Sequence, residues 1–542
     1  LKLTYLENER IHIEPEDKTE LRGIKSWFDR YVDGYMFSPI YKNKLWNGKR
    51  TEYDSETNTL PMGLWKEVFK CCEEFGYSFN FVNKKEFPIN RDIKLNDFQE
   101  FIKDFFKDYK FQPREYQIRV AFNILKNRYC NIAVATSGGK TLIYSMVLFY
   151  LISKYPKKRF LLVVPSKTLV SQFFDDVIEF NQNKLNLNIQ EIFGEEEKPR
   201  TLDPTKESNF VIATFQSLTY DNIQILKNGK EKKTPKYPKE WFKDFWSITV
   251  DEAHRSKSDS YSKKILKYTL NNAYYRWGMS GSFPVDESYE MMSIMSKTGP
   301  VVDTVKAREL MDNGFITQVK IKQILMYHNN YQFAETLEIV GSRDKKSAYD
   351  LEVEKIQESP HRLDVINQIV SKCKSNTLVL FHNISYGTQM FEYLKELNPD
   401  KDFFYIDGSV KENGSKKNPE NSRKWIKLQM EKTDRVKILI ASFATLGTGV
   451  SINAINNVIF TQSFKKEQII IQSIGRALRL HKDKKMAYVF DLVDIFNFDD
   501  YEYKVKKSFK NILLTHGEKR RKIYNTEDYP FDTIKIQLTP PV

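Results

Sequence analysis

Cysteine is scarce: four in 542 residues, at positions 71, 72, 130 and 373. They form no C-x-x-C pair, and no histidine stands at metal-ligand spacing from any of them. That argues against a disulfide scaffold or a cysteine-built zinc site, and reduced thiols in a cytoplasmic protein are expected. Long apolar runs are missing too. The most apolar stretch, residues 142–152, has about half the length a bilayer requires, so no membrane partner is expected. The opening "LKLTYLENERIHIEPEDKTE" has no basic stretch leading into an apolar core, so no secretory signal is read. Leu1 is not an initiator Met, and a residue or two is expected ahead of it. No short-period repeat occurs, nor a Pro-Asp followed by Asp/Glu-x-Lys as a nuclease would need. Acid is in deficit: 71 Asp and Glu face 85 Lys and Arg, leaving +14. Such a charge points to a polyanionic partner, nucleic acid first. A lysine-over-arginine bias with abundant asparagine, as in AT-rich genomes, accounts for part of it without any ligand.

What is present is core material. A 41% hydrophobic share with 38 Phe and 30 Tyr rules out wholesale disorder, and the length suggests three or four domains. Residues 1–85 read as a small α+β domain, holding the aromatic and basic "VDGYMFSPIYKNKLWNGKR" and the helix-like "GLWKEVFKCCEEFGY". Residues 86–110, largely polar, read as a linker. From 111 to 298, β-rich runs ("NIAVA", "RFLLVVP", "NFVIATF", "WSITVDE") alternate with helix-length amphipathic segments, the signature of a buried parallel sheet. The alternation weakens over 299–370, taken as an inter-domain connection and the start of a second domain. It returns over 371–500 with "NTLVLFHN", "VKILIAS", "NNVIFTQ" and "MAYVFDL", and 501–542 read as a C-terminal extension. Two charged insertions, 228–241 and 410–424, read as solvated loops with DNA contact as the sharper alternative.

The chemistry centres on "NIAVATSGGKTLIYS". A strand, a Gly-rich turn and a helix place backbone N–H groups around an anion. Ser137, Gly138 and Gly139 form the turn, Lys140 meets the β/γ-phosphates, and the Thr141 hydroxyl ligates Mg²⁺. The leading glycine of the phosphate-loop pattern G-x-x-x-x-G-K-[ST] is absent. "WSITVDEAHRS" supplies an acidic pair at the end of a second strand. Asp251 is suited to hold Mg²⁺ and Glu252 to deprotonate the attacking water, so ATP hydrolysis is expected.

Asp251-Glu252-Ala253-His254, with the motifs around it, resembles the superfamily 2 helicases and translocases. On that resemblance the fold class is α/β: two RecA-like parallel-sheet motor domains in tandem, behind the small N-terminal domain. "FQPREYQ" contributes Arg114 and Gln117 to the nucleotide site, Gln117 matching the adenine-reading residue. "VVPSKTLVSQ" and "ATFQSL" match strand-contacting motifs, giving Ser166, Lys167, Thr168, Thr214 and Gln216. "GMSGSF" matches the coupling motif, with Ser280 and Ser282 available to His254. In the second half, "TLVLFHN" and "ILIASFATLGTGVSI" imply DNA contacts at His382, Asn383 and Thr448 and a nucleotide contact at Gly449. Ser451 stands where many members carry Asp. "QSIGRALR" supplies Gln472 and the arginine fingers Arg476 and Arg479. These two are expected one helical turn apart on one face, closing on the γ-phosphate.

The N-terminal segment and "TSGGKT", "SGSF", "LGTGVSI" and "IGRALR" are similar to phage UvsW-type helicases. That resemblance implies ATP-driven remodelling of branched DNA: fork regression, Holliday-junction migration and unwinding of D- and R-loops. It also implies DNA partners, single-stranded and branched, RNA in R-loops, and single-strand-binding or recombination proteins, in the host cytoplasm if the chain is phage-encoded. Trp46, Lys49 and Arg50 are candidate junction contacts, against a plainer reading as a small domain packed on the motor. The alternatives are an RNA helicase, a restriction-enzyme motor, and a non-catalytic binder with a decayed ATPase fold.

Overall fold

Strands such as "RFLLVV" and "KILIAS" are apolar on both faces, which a strand tolerates only inside a sheet covered on both sides. In a computed structural model of the chain they are interior strands of two seven-stranded sheets. The structure describes residues 1–6, 10–82, 88–194, 208–219, 221–225, 231–235, 237, 239–257, 273–328, 331–410, 422–432, 434–446, 454–464, 467–477, 479, 484, 486–496 and 510–538. The chain divides into two compact units, Leu1–Val134 with Gly139–Val305, and Ala135–Gly138 with Lys306–Val542.

In the first unit the sheet runs Val301–Val305, Tyr129–Val134, Tyr275–Ser280, Phe245–Asp251, Arg159–Val164, Phe210–Thr214, Ile189–Ile192. Every pairing is parallel. Helix Lys140–Lys154, buried from Ile143 to Ile152, packs on this sheet, Tyr144 stacking on Trp277. The 86–110 stretch is more than a linker. Helix Leu95–Phe105 buries Phe98, Ile102 and Phe105, with Phe98 edge-on to Tyr150 and Phe105 stacked on Phe149. Its polar neighbours mask that apolar stripe.

The N-terminal module is a four-stranded sheet, Thr59–Pro61, Arg10–Glu14, Lys2–Leu6, Asn80–Phe81, covered by helices Lys18–Phe28 and Trp65–Phe75. It does not hang free. One apolar cluster joins its Leu3, Ile11, Leu60, Met62 and Val68 to Tyr129, Met291, Met292 and Met295 of the motor.

The second unit's sheet is also wholly parallel: Asp402–Ile406, Lys437–Ser442, Thr377–Phe381, Asn457–Phe460, Met486–Ile495, Gln318–Tyr327, Phe531–Gln537. Two expectations change here. The 299–370 connection contains Val301–Val305, an edge strand of the first sheet, and Gln318–Tyr327, an interior strand of the second. The 501–542 extension contributes helix Ile512–Thr526 and the edge strand Phe531–Gln537. In "QVKIKQILMY" lysine alternates with apolar residues, so it lacks the continuous apolar run of a central strand.

A buried ionic network ties this sheet to its helices. Arg362 donates from Nε to Asp494 Oδ1 at 2.8 Å and from Nη2 to Oδ2 at 3.1 Å. It also reaches the Tyr386 hydroxyl at 2.7 Å and the Thr461 carbonyl. His328 Nε2 lies 2.9 Å from Asp494 Oδ1. Burial opposes ionisation of Asp494, but Arg362 and then His328 outweigh it and bring the carboxyl down to about 2. Asp494→Ala strands a buried guanidinium and is expected to cost about 3–5 kcal/mol, read as a lower urea midpoint. Because the folded value lies below the ordinary 3.8, the contribution is complete above that pH and lost as pH falls towards 2.

Candidate nucleotide and nucleic-acid site

Gly139 caps helix Lys140–Lys154 at φ 77°, a left-handed conformation that favours glycine. A Cβ there would come 2.4 Å from Gln117 Nε2, so a side chain would push the Gln117 amide aside as well as strain the backbone. Gln117 is buried, and its Oε1 accepts from the Arg114 backbone N–H at 2.9 Å, which turns its amide nitrogen towards Gly139. Within the turn the Gly138 N–H donates to Ala135 O at 2.9 Å, and Ser137 adopts φ 69°. The first N–H groups of the helix have no partner within it, the arrangement that binds anions. Lys140 Nζ donates to Val134 O at 3.4 Å, a long bond that a phosphate oxygen could replace. Asp176 of helix Lys167–Asn181, which belongs to no motif, is held above the ordinary carboxylate range by burial.

Asp251 closes strand Phe245–Asp251, and Glu252 turns the chain at φ 51°. A non-glycine residue there costs about 1–3 kcal/mol and marks a turn held for a purpose. Asp251 is buried, and its Oδ1 has no hydrogen-bond partner among the described residues. Burial, then the Glu252 charge, push the Asp251 carboxyl up. Glu252 goes the other way. Burial opposes its ionisation, but the His254 hydrogen bond, Lys140 and Arg255 outweigh it and keep it a carboxylate. A bare, buried carboxylate oxygen beside a Lys-Thr helix start fits Mg²⁺ carried by a polyphosphate.

His254 Nδ1 lies 2.9 Å from Ser280 Oγ and 3.3 Å from Glu252 Oε2. Ser280 gives its only proton to Ser282 O at 2.7 Å, so it accepts from His254, whose Nδ1 carries the hydrogen. Ser282 takes part through its backbone; its N–H lies 3.4 Å from Ser280 Oγ. The expected pairing of His254 with both serine side chains therefore becomes a pairing with Ser280 alone.

The expected strand contacts divide. Ser166 caps helix Lys167–Asn181, with Lys167 exposed and Thr168 half-buried in its first turn. Gln216 is exposed, but Thr214 is buried and its hydroxyl is spent on Ser217 Oγ at 2.9 Å, away from any strand. His382 and Asn383 are exposed, and both backbone N–H groups donate to Gln462 Oε1. Thr448, Gly449 and Ser451 lie outside the described residues. Insertion 228–241 is described at 231–235, 237 and 239–241, where Glu231–Pro235 pairs antiparallel with Asp221–Ile225. Of 410–424, residues 411–421 lie outside the description.

Gln472 and Arg476 lie on helix Glu467–Ala477, which ends before Arg479. The expected one-turn spacing on a shared helix face is not met. The Arg479 carbonyl accepts instead from the Thr317 hydroxyl at 2.9 Å and Lys484 Nζ at 3.1 Å. The two guanidinium groups remain close enough to repel. Burial first, then the Arg479 charge, push Arg476 down to about 10, still protonated at neutral pH.

In the N-terminal module, Trp46 Nε1 donates to Lys49 O at 2.7 Å, so its ring braces the loop. Lys49 Nζ lies 4.8 Å from the Tyr31 ring centroid, and the exposed Arg50 6.0 Å from that of Tyr289. The sequence reading passed over Met36, Phe37, Ile40 and Leu45, 55–79% exposed. They stand beside Lys42, Lys44, Lys49 and Arg50 in a stretch, 36–50, that holds no acid. The signal was visible in "YMFSPIYKNKLWNGKR" as apolar residues set among lysines, a proline and a glycine.

Among the described residues no helix is long and apolar enough to cross a membrane. Three families match separate parts of the chain: "DNA helicase UvsW, N-terminal" over 1–82, "Type III restriction enzyme, res subunit" over 110–284, and "Helicase conserved C-terminal domain" over 361–481. The ATP-dependent DNA helicase uvsW of Enterobacteria phage T4 is 26% identical over 550 residues, spanning 99% of this chain and all of that one. The crystal structure of T4 UvsW covers 99% of both chains at 24% identity and a TM-score of 0.46. The DNA-bound Type ISP restriction-modification enzyme LlaBIII matches 87% of this chain and 34% of its own, at 14% identity and a TM-score of 0.54, a likeness of fold.

Proposed function

We propose that this chain is a superfamily 2 helicase of the UvsW type, phage-encoded and ATP-dependent, that remodels branched DNA in the host cytoplasm; the end-to-end similarity to the T4 helicase and the three family matches support that reading. Fork regression, Holliday-junction migration and unwinding of D- and R-loops are the assigned reactions, in recombination, repair and replication. RNA enters as the displaced strand of R-loops, and single-strand-binding or recombination proteins are the partners assigned.

The observation that carries the hydrolytic part is the bare, buried Asp251 Oδ1, next in the chain to an ionised Glu252. Lys140 and the helix N-terminus bind the phosphates, and Gln117 with Arg114 the adenine side. Thr141 and Asp251 hold Mg²⁺, which when bound offsets charge on the β- and γ-phosphates. Glu252 accepts a proton from the attacking water, and His254, whose Nδ1–H is shared between Ser280 Oγ and Glu252 Oε2, orients the Glu252 carboxylate. Arg476 and Arg479 offset charge developing on the γ-phosphoryl group, with Gln472 beside them. Ser166, Lys167, Thr168, Gln216, His382 and Asn383 grip one strand without reading bases. The acid-free basic and apolar loop at 36–50 meets the branch.

Two alternatives are less well supported. A restriction motor would share the 110–284 match, yet the T4 relative accounts for the chain end to end. RNA specificity has no feature of its own here. Steady-state ATPase with single-stranded DNA, forked DNA and RNA separates the readings. Forked DNA is expected to stimulate most. Stimulation by RNA alone sinks the proposal, and no stimulated turnover at all favours a non-catalytic binder.

A further inference from the structure

One buried charge has no part in the ATP chemistry: Lys297, 7% exposed, near the end of helix Tyr289–Thr298. Its ammonium donates to the Ser256 carbonyl at 2.5 Å and to Ser293 Oγ at 3.1 Å. Ser256 is fully buried in the 3₁₀ turn Ala253–Lys257, which follows Glu252 and contains His254. Its hydroxyl closes that turn on Ala253 O at 2.7 Å. Lys297 therefore grips the turn that carries His254. An uncharged donor would satisfy one carbonyl more cheaply, because an ammonium taken out of water needs a counter-charge.

The N-terminal module brings an acid, Glu52, to the same helix. Glu52 accepts from the Tyr289 hydroxyl at 2.9 Å. Burial holds its carboxyl above the ordinary range, against the Tyr289 bond, the Lys297 charge, and Ser293 and Ser296. The same helix is clamped to the module elsewhere. The Asp33 N–H donates to Glu290 Oε1 at 3.0 Å, and a Cβ on Gly63 would come 2.1 Å from Met295 O. The exposed Arg50 reaches over the Tyr289 ring. Helix Tyr289–Thr298 thus joins the N-terminal module, through Tyr289–Glu52 and Glu290–Asp33, to the His254 turn, through Lys297–Ser256.

We propose that Lys297 is a positioning residue through which the N-terminal module sets the His254 turn, and with it the rate of ATP hydrolysis when DNA engages the Arg50 face. The proposal rests on the function above in one respect, that DNA stimulates turnover. Lys297 touches no nucleotide; it acts through Ser256. Drawing Glu52 towards or away from the helix changes the field at the ammonium and the hold on the carbonyl.

The test uses the full chain with Glu52→Gln, Lys297→Met, Lys297→Arg and the Glu52→Gln/Lys297→Met double variant. For each, kcat and KM for ATP are measured with and without forked DNA, alongside Tm. Glu52→Gln keeps shape and the Tyr289 bond but removes the charge. It is expected to lower the stimulated-to-basal kcat ratio about fivefold, the lower end of coupling between sites. KM for ATP should stay within about twofold. Lys297→Met should lower the same ratio, Lys297→Arg restore much of it, and the double variant fall no further than either single one. A purely structural lysine would lower Tm and leave the ratio alone. If Lys297→Met does not fold, Glu52→Gln and Lys297→Arg still decide the matter. Wild-type protein that DNA does not stimulate would overturn the assigned function. Stimulated wild-type protein matched by Glu52→Gln would overturn the relay only.

Discussion

Lys140→Ala is expected to stop ATP turnover, lowering kcat by about 10²–10³ or more, while the protein still binds DNA. The magnitude is that of removing one preorganised charge from a reacting centre. The argument is geometric. Lys140 is the first residue of a helix whose cap, Gly139, has a left-handed backbone and Gln117 at its back. Its ammonium has one long bond, 3.4 Å to Val134 O, so little is broken when it turns to a phosphate. Alanine favours helices and the position is not in the core, so folding should survive. Retained DNA binding in a filter or anisotropy assay separates lost chemistry from lost structure. Turnover within about tenfold of wild type would place the phosphate elsewhere.

Arg476→Ala should cost more, about 10³–10⁵ in kcat, the range for arginine fingers, with ATP affinity nearly unchanged. Arg476, half-buried and close enough to Arg479 to feel its charge, is in an unfavourable arrangement that a polyphosphate would relieve. Its benefit is greatest when charge on the γ-phosphoryl oxygens peaks, so the loss belongs in kcat. Arg476→Lys keeps a charge but loses the planar fork and should recover only a small part. A rise in KM at constant kcat would make Arg476 a binding residue and not a finger.

Local features were legible in the sequence and distant pairings were not. The Gly138-Gly139-Lys140-Thr141 turn and Asp251-Glu252 depend on a few adjacent residues, and the strands ahead of both are apolar on both faces. The loop forms without the leading glycine of its pattern, because the Gly138 N–H closes the turn on the Ala135 carbonyl. Strand Gln318–Tyr327 was missed because lysines interrupt it and its partners, Met486–Ile495 and Phe531–Gln537, are far along the chain. Helix Leu95–Phe105 hid because its five apolar residues, at helical spacing, follow directly on the polar run that ends at Lys94 and were read together with it. Arg479 followed helical spacing on paper, but hydrogen bonds from Thr317 and Lys484 take its carbonyl. Lys297 and Asp176 belong to no motif. Their roles come from what faces them, which spacing does not encode.

The apolar cluster shared by the N-terminal module and the Tyr289–Thr298 helix bears on synthesis. Glu52 leaves the ribosome 237 residues before Tyr289 does. At about 5–20 residues per second the module waits roughly 10–50 s for that partner. Through that interval Leu60, Met62 and Val68, which end at 0–2% exposure, lack the methionines that complete their cluster. The nascent chain therefore carries an unfinished apolar surface, the kind that chaperones bind and that aggregates when translation stalls. A slow-codon stretch placed before residue 289 should lower soluble yield more than the same stretch placed after 305.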